Sequence, residues 1–245
     1  MARSREHLQN APIAEAVLDF RVVPQEQISA ETFADLQTSI GEKYTRESSI
    51  RSIEARFGVV HGTPLNPWQT QTDLGYRYKT ETEVAQFRVD GFTFSKLARY
   101  TTWEEVSGEA FRLWKVYLDF AKPRQVSRVA VRYINRMRLP DVKDLGEYLA
   151  EPPRLSVPIS QRIREFLTRM YVEDPKRKAS AVIVQALEPR TDPETISLLL
   201  DIDAFCDVVL GVDDSALPTI FGELRKLKNE IFFASITDTT AEIYK

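Results

Sequence analysis

The chain has 245 residues, of which 43% are hydrophobic and 28% are charged, and this composition is typical of a soluble globular protein of one or two domains. Its formal net charge of −3 excludes a general polyanion-binding protein, because such proteins carry a surplus of basic residues. The single cysteine, Cys206, excludes an intramolecular disulfide, and we expect it to be a buried thiol of low nucleophilicity.

The sequence also indicates in which cellular compartment the protein is expected. Residues 1–8 lack the apolar run of a signal peptide, and no segment is apolar and uncharged over the length that spans a bilayer. A lone cysteine agrees with a reducing environment. We therefore expect a cytoplasmic protein with no membrane partner.

The beginning of the chain predicts a strand followed by a helix. Residues 12–23 alternate between apolar and polar side chains, which is typical of a strand, and Pro24 ends the pattern. Ser29 is expected to cap a helix. The buried side of that helix would carry residues at helical spacing, namely Phe33, Leu36, Ile40 and Tyr44.

Four strands and a long helix complete the first half. The strands are expected near residues 50–60, 74–80, 84–89 and 92–98. Their links are too short for crossovers, so we expect antiparallel pairing, and Asp90-Gly91 is typical of a hairpin turn. Thr102 and Glu105 form a capping box that begins a helix, which Pro123 ends.

From about residue 124 the order of elements begins again. Residues 125–140 predict a strand, 144–150 a short helix, and 178–188 and 194–203 two further strands. Residues 159–172 fit either a helix or a strand of a hairpin, and the strand is favoured from about residue 164. A last helix is expected over 215–232, with inward residues at Leu217, Ile220, Leu224, Leu227 and Ile231.

These elements predict an α+β fold. Two strand–helix–antiparallel strands–helix units, 1–123 and 124–245, would form one curved antiparallel sheet with the helices on one face. Their shared order indicates an internal duplication, and the topology resembles the saddle of the TATA-binding protein. In such a saddle the first strands of the two halves lie near each other at the centre, which would place Glu15 and Asp19 opposite the strand at 125–140.

That strand carries the most informative feature of the sequence. Side chains alternate between the faces of a strand, so one face receives four arginines: Arg128, Arg132, Arg136 and Arg138. The other face is apolar except for Asn135. A guanidinium stays charged, so it must meet carboxylates, phosphate or water. Three interpretations follow: internal pairing with Glu15, Asp19, Asp201 or Asp203, a surface for an acidic or phosphate-bearing ligand, and a solvated face.

Other segments carry residues that are typical of nucleic-acid binding or metal binding. Aromatic and basic residues mix at residues 74–79 and 92–96, as in single-stranded nucleic-acid binders, but alternation favours packing for Tyr76, Tyr78, Phe92 and Phe94. Asp201 and Asp203 share a strand face and could hold Mg²⁺ with Asp19 or Glu15. His7 and His61 have no metal-ligand spacing, and no phosphate-binding glycine loop, nucleophile elbow or cofactor motif occurs.

Four segments carry a resemblance to a known family. They are Asn10-Ala-Pro-Ile-Ala-Glu-Ala-Val17, Phe94-Ser-x-Leu-x-x-Tyr100-x-x-Trp103-Glu, Val131-Arg-Tyr-Ile-Asn-Arg136 and Leu200-Asp-Ile-Asp203. Together they resemble an uncharacterised family of sporadically distributed prokaryotic proteins. The resemblance implies no activity, and the patchy distribution implies accessory genes, including defence-type systems.

The sequence therefore supports three hypotheses of function. The first is a non-catalytic binding or regulatory module whose arginine-bearing face engages an acidic protein, a second copy of the chain or a phosphate-bearing ligand. The second is local nucleic-acid binding by the saddle. The third is a metal-dependent phosphodiesterase that uses Asp201 and Asp203 with Glu15 or Asp19.

Overall fold

The computed structural model describes residues 8–26, 28–56, 59–60, 63–64, 68–97, 99–154, 163–190, 192–212 and 215–245, with the backbone alone at 53–56, 59–60, 63–64 and 68–70. The strands are β1 (Ile13–Val23), β2 (Thr45–Arg56), β3 (Val59–Val60), β4 (Thr63–Pro64), β5 (Trp68–Lys79), β6 (Glu83–Arg88), β7 (Gly91–Leu97), β8 (Gln125–Pro140), β9 (Phe166–Asp174), β10 (Ala179–Leu187) and β11 (Thr195–Leu210). The helices are α1 (Gln37–Ile40), α2 (Trp103–Ala121), α3 (Leu217–Ser235) and α4 (Asp238–Ile243), with 3₁₀ turns at Ala30–Phe33 and Leu145–Glu147.

Nine of these strands form one open antiparallel sheet, in the order β2-β5-β6-β7-β1-β8-β11-β10-β9, while β3 and β4 pair separately. The first strands of the two predicted halves, β1 and β8, pair at the centre of this sheet, with Val17 opposite Arg132 and Asp19 opposite Ala130. Their expected adjacency is confirmed. The expected boundary between the halves falls between α2 and β8, and the internal duplication stays a prediction.

Helices α2 and α3 pack on the same face of the sheet. Apolar and polar side chains alternate along β1, so one face of this strand is apolar and is covered by the two helices. Phe20 lies on that face and is fully buried. The Phe20 ring stacks on Trp114 of α2 at 4.5 Å between centroids and contacts Phe221 of α3 at 4.6 Å. The predicted α+β class, with helices on an antiparallel sheet, is therefore confirmed. None of the helices in the described residues combines the length and the apolarity that crossing a bilayer requires.

The prediction of one helix after Ser29 is wrong. The chain makes a 3₁₀ turn at Ala30–Phe33 and a single turn of α-helix at Gln37–Ile40, and the Ser29 side chain forms no capping hydrogen bond. The apolar residues assigned to its inner side are nevertheless fully buried. Successive tight turns place them on the core as well as one helix would, and the Tyr78 hydroxyl helps by donating to Phe33 O and accepting from Leu36 N.

The later half also departs from expectation in detail. Only a 3₁₀ turn forms within 144–150, where the Asp144 carboxylate accepts from Gly146 N. The favoured strand after residue 164 is confirmed as β9, and 155–162 lie outside the described residues. In α3 the predicted inward residues Leu217, Leu224 and Leu227 are buried, whereas Ile220 and Ile231 are only partly covered. Three residues that were not predicted are buried as well, namely Phe221, Lys228 and Phe232.

Helix α2 begins as the capping box predicts, and this gives a first test of the fold. The Thr102 hydroxyl accepts a hydrogen bond of 3.2 Å from Glu105 N, so Thr102→Ala should lower the free energy of unfolding by about 1 kcal/mol. Thr101→Ala, one residue earlier and exposed, should change it by less than about 0.5 kcal/mol. Chemical denaturation measures both values, and equal losses would show that the cap is not responsible.

Candidate functional site

The candidate site lies on the open face, which we define as the face of the sheet opposite α2 and α3. Its centre is the arginine row on β8, consisting of Arg128, Arg132, Arg136 and Arg138. Arg128 is half-buried and the other three are exposed, while the odd-numbered neighbours from Val129 to Leu139 are buried. The predicted alternation along this strand is confirmed, including the burial of Asn135, whose amide donates to Leu200 O at 2.9 Å.

Two members of the row form bidentate ion pairs. Arg132 donates from Nε and Nη2 to the two oxygens of Asp201 at 2.8 and 2.6 Å. Arg136 contacts Glu188 in the same way, with Nε and Nη2 each at 3.1 Å from a carboxylate oxygen. The hydrogen bonds to Asp201 raise the pKa of Arg132 further above its ordinary value. Each guanidinium is thus fixed in orientation by a carboxylate.

Arg128 is held more loosely. Its Nη2 lies 3.4 Å from Asp203, its Nη1 lies 3.6 Å from Asp19, and its guanidinium sits 4.3 Å from the centre of the Phe205 ring. The pKa of Asp203 is raised, because burial has a larger effect than the neighbouring arginines Arg128 and Arg132, which lower it. Arg138, at the other end of the row, is exposed and forms no ion pair with any described residue.

The two acidic residues of β1 have different surroundings. Asp19 joins the row through Arg128 but is bound more closely by other groups: Thr93 Oγ1 donates to it at 2.6 Å, Arg21 Nε at 3.1 Å and Arg88 Nη2 at 3.3 Å. Glu15 forms no hydrogen bond or ion pair within the described part of the chain. The expected pairing of β1 acids with the row is therefore direct for Asp19, while Glu15 acts on Arg132 through its charge alone.

A cleft of about 280 Å³ opens among these residues at the centre of the sheet. Its charged walls come from both halves of the chain, and they are Glu15, Asp19, Arg21, Arg128, Arg132 and Asp203. The smaller polar residues Thr93 and Ser95 line the cleft from β7, the neighbour of β1. Three guanidiniums thus face three carboxylates, so the cleft is polar and balanced in formal charge.

Asp201 and Asp203, the candidate metal ligands, are both paired with arginines. Both oxygens of Asp201 accept from Arg132, and Asp203 lies beside Arg128. A divalent cation between the two aspartates would have to displace these guanidiniums. Among the residues that the structure describes, no three acidic, histidine or cysteine side chains lie close enough to hold a metal ion. His7 and His61 lie outside the described residues.

The aromatic residues near basic ones belong to the interior. Phe92 and Phe94 are fully buried on the helix-covered face, and Tyr78 is 1% exposed. Tyr76 is partly covered and donates to Glu31. These rings leave no stacking platform for bases at residues 74–79 or 92–96. Cys206 lies within β11, where burial raises the pKa of its thiol, as expected of a structural cysteine.

Some site residues were missed in the sequence. Glu188, Arg21 and Arg88 complete the ion pairs, yet pairing between distant strands cannot be derived from periodicity alone. A weak signal exists for Glu188, because it is the first charged residue after the apolar run of β10. Comparison with known protein families and with curated protein sequences finds no match to this chain.

Proposed function

We propose that this protein is a non-catalytic binding module, and that its open face binds an extended acidic segment of a partner protein. The observation that carries the proposal is the geometry of the row from Arg132 to Arg138. Arg132 and Arg136 keep about half of each side chain exposed, at 46% and 50%. Arg138 is exposed as well.

The bidentate pairs orient this row for binding while leaving donors free. A guanidinium has five N–H groups, and the pairs with Asp201 and Glu188 use only the Nε and Nη2 atoms. The Nη1 groups of Arg132 and Arg136 have no partner among the described residues. Because the side chains are already held, a ligand that meets them loses little conformational entropy.

The spacing of the row suits an extended peptide. Arg136 and Arg138 are two residues apart, or about 7 Å along the strand, and Arg132 lies about 14 Å from Arg136. Alternate side chains of an extended acidic segment recur at the same ~7 Å interval. A nucleic acid suits the face less well, because the net charge of −3 repels a long polyanion and the rings at residues 74–79 and 92–96 are buried or partly covered.

The test uses an extended peptide of alternating glutamate and threonine, (Glu-Thr)₄, and its glutamine analogue. We expect the unmodified protein to bind the glutamate peptide at low salt and to show no detectable binding of the glutamine analogue. Exchanging both Arg136 and Arg138 for glutamine should weaken binding at least tenfold, or about 1.4 kcal/mol. Fluorescence anisotropy with a labelled peptide gives these affinities.

The matched control is Arg124→Gln. Arg124 is 49% exposed and pairs with Glu26 just before β8 begins, so its loss changes the net charge by one unit outside the row. We expect its affinity to stay within twofold of the unmodified protein. Absence of glutamate-peptide binding, or equal weakening per charge removed in control and row variants, would overturn the proposal.

A further inference from the structure

A second concave site lies on the opposite side of the sheet, between β8 and α3. It is a cavity of about 220 Å³ whose polar residues come from three parts of the chain. Tyr133 and Asn135 belong to β8, Tyr100 precedes α2, and Arg225 and Lys228 belong to α3. Leu8, Phe232 and Phe233 add apolar walls. The central sheet separates this cavity from the open face.

Lys228 is the unusual member of the lining. Its side chain projects from the inward side of α3 and only 6% of the residue is exposed. The Nζ atom lies 3.6 Å from the centre of the Tyr133 ring, and it forms no hydrogen bond or ion pair with any residue that the structure describes. A buried ammonium without a carboxylate is costly, and a ring face replaces its hydration only in part.

A second cation is adjacent. Arg225, one helical turn earlier on α3, packs over the Trp103 ring at 5.2 Å and also forms no ion pair within the described ranges. Its charge and, more strongly, burial lower the pKa of Lys228 to about 7. The facing hydroxyls belong to Tyr133 and Tyr100, which are hydrogen-bonded to each other at 3.0 Å and whose pKa values are both raised by burial. Among the residues that the structure describes, no acidic side chain lines the cavity, and the nearby carboxylate of Glu104 contributes to raising the pKa of both tyrosines.

We propose that this cavity binds a small organic carboxylate, with Lys228 and Arg225 receiving the carboxylate and the aromatic walls packing on its apolar body. The chemistry follows from what the cavity lacks. Within the described part of the chain, the two cations have no carboxylate partner, and a ligand carboxylate supplies one. The volume of about 220 Å³ corresponds to roughly seven water molecules at ~30 Å³ each, which limits the ligand to a small one.

Benzoate is the probe, and benzyl alcohol of similar size is the uncharged comparison. We expect benzoate to bind the unmodified protein with a dissociation constant in the millimolar range or lower, and benzyl alcohol to bind at least tenfold more weakly. Lys228→Met should weaken benzoate binding at least tenfold. Lys226→Met should leave it unchanged, because Lys226 lies on the same helix but is exposed and paired with Glu223. Isothermal titration calorimetry measures these four affinities: benzoate and benzyl alcohol with the unmodified protein, and benzoate with each variant.

Proton uptake distinguishes a binding lysine from a merely structural one. At pH 8 the Lys228 amine is mostly neutral before binding, and a bound carboxylate favours its charged form. Titrations in two buffers of different ionisation enthalpy should therefore show uptake of about one proton per benzoate, and none in Lys228→Met. Absence of benzoate binding, or binding that Lys228→Met leaves unchanged or that takes up no proton, would overturn the proposal; circular dichroism verifies that each variant is folded.

Discussion

Replacing Asp19 with alanine is expected to lower the free energy of unfolding by about 3 kcal/mol, because it leaves a buried arginine without one of its carboxylates. Arg88 is 6% exposed. It donates to Asp19 at 3.3 Å, to Thr93 Oγ1 at 2.8 Å and to Asp90 at 3.0 Å. Asp90 is partly exposed and remains in the variant, which places the loss at the low end of the range for a broken buried pair.

The same substitution affects the centre of the sheet. Asp19 also accepts from Arg21 and lies near Arg128, so its removal concentrates positive charge where β7, β1 and β8 meet. Asp73→Ala is the control, because Asp73 pairs with Arg51 at 2.9 Å while both side chains are about half exposed. Its loss should cost less than about 1 kcal/mol. Urea denaturation compares the two variants, and similar losses would mean that Asp19 does not compensate a buried charge.

Replacing Lys228 with methionine is expected to change how stability depends on pH. The pKa of Lys228 is about 7 in the folded protein, against an ordinary value of 10.5. Between these values the unfolded chain binds a proton that the folded chain lacks, so the lysine destabilises the fold increasingly as the pH falls from about 10.5 to 7, and by a constant amount below 7. Methionine of similar length removes this cost.

The gain in stability of Lys228→Met over the unmodified protein should therefore be larger at pH 7 than at pH 9.5, by about 2–3 kcal/mol. The tyrosines that face Lys228 stay neutral in this range because burial raises their pKa values, and they are common to both proteins. Lys226→Met should show no such trend. Guanidinium denaturation at the two pH values measures the free energies of unfolding. If the stability difference between Lys228→Met and the unmodified protein does not depend on pH, Lys228 is not a buried, unpaired lysine with a lowered pKa.

The long elements were predictable because their periodicity is strong. The strand β8 alternates over sixteen residues, and α2 carries a capping box followed by a helical stripe. The segment after Ser29 was misassigned because short turns can bury the same apolar residues as a helix. The buried side of α3 was predicted only in part, because a charged residue such as Lys228 is not expected to be buried. Phe221, Leu224, Lys228 and Phe232 do recur at helical spacing, which is the signal that would have revealed it.

The partners of the arginine row could be predicted only in part. Asp201 and Asp203 were among the candidate partners, but Arg132 pairs with Asp201 across a diagonal, while Asp203 is the residue directly opposite it. Such pairings depend on strand register, which is altered by irregularities between Ile13 and Glu15 and between Asp207 and Leu210. Local sequence does not specify these shifts.

The open face as a binding surface is tested most directly by locating the bound peptide. Backbone amide NMR spectra of the ¹⁵N-labelled protein, recorded during titration with (Glu-Thr)₄, report which residues the peptide contacts. The proposed function predicts shifts concentrated at Arg132–Arg138 of β8 and at the facing part of β11, Ser197–Asp203. Shifts confined to α2 and α3, or no shifts at millimolar peptide, would contradict it.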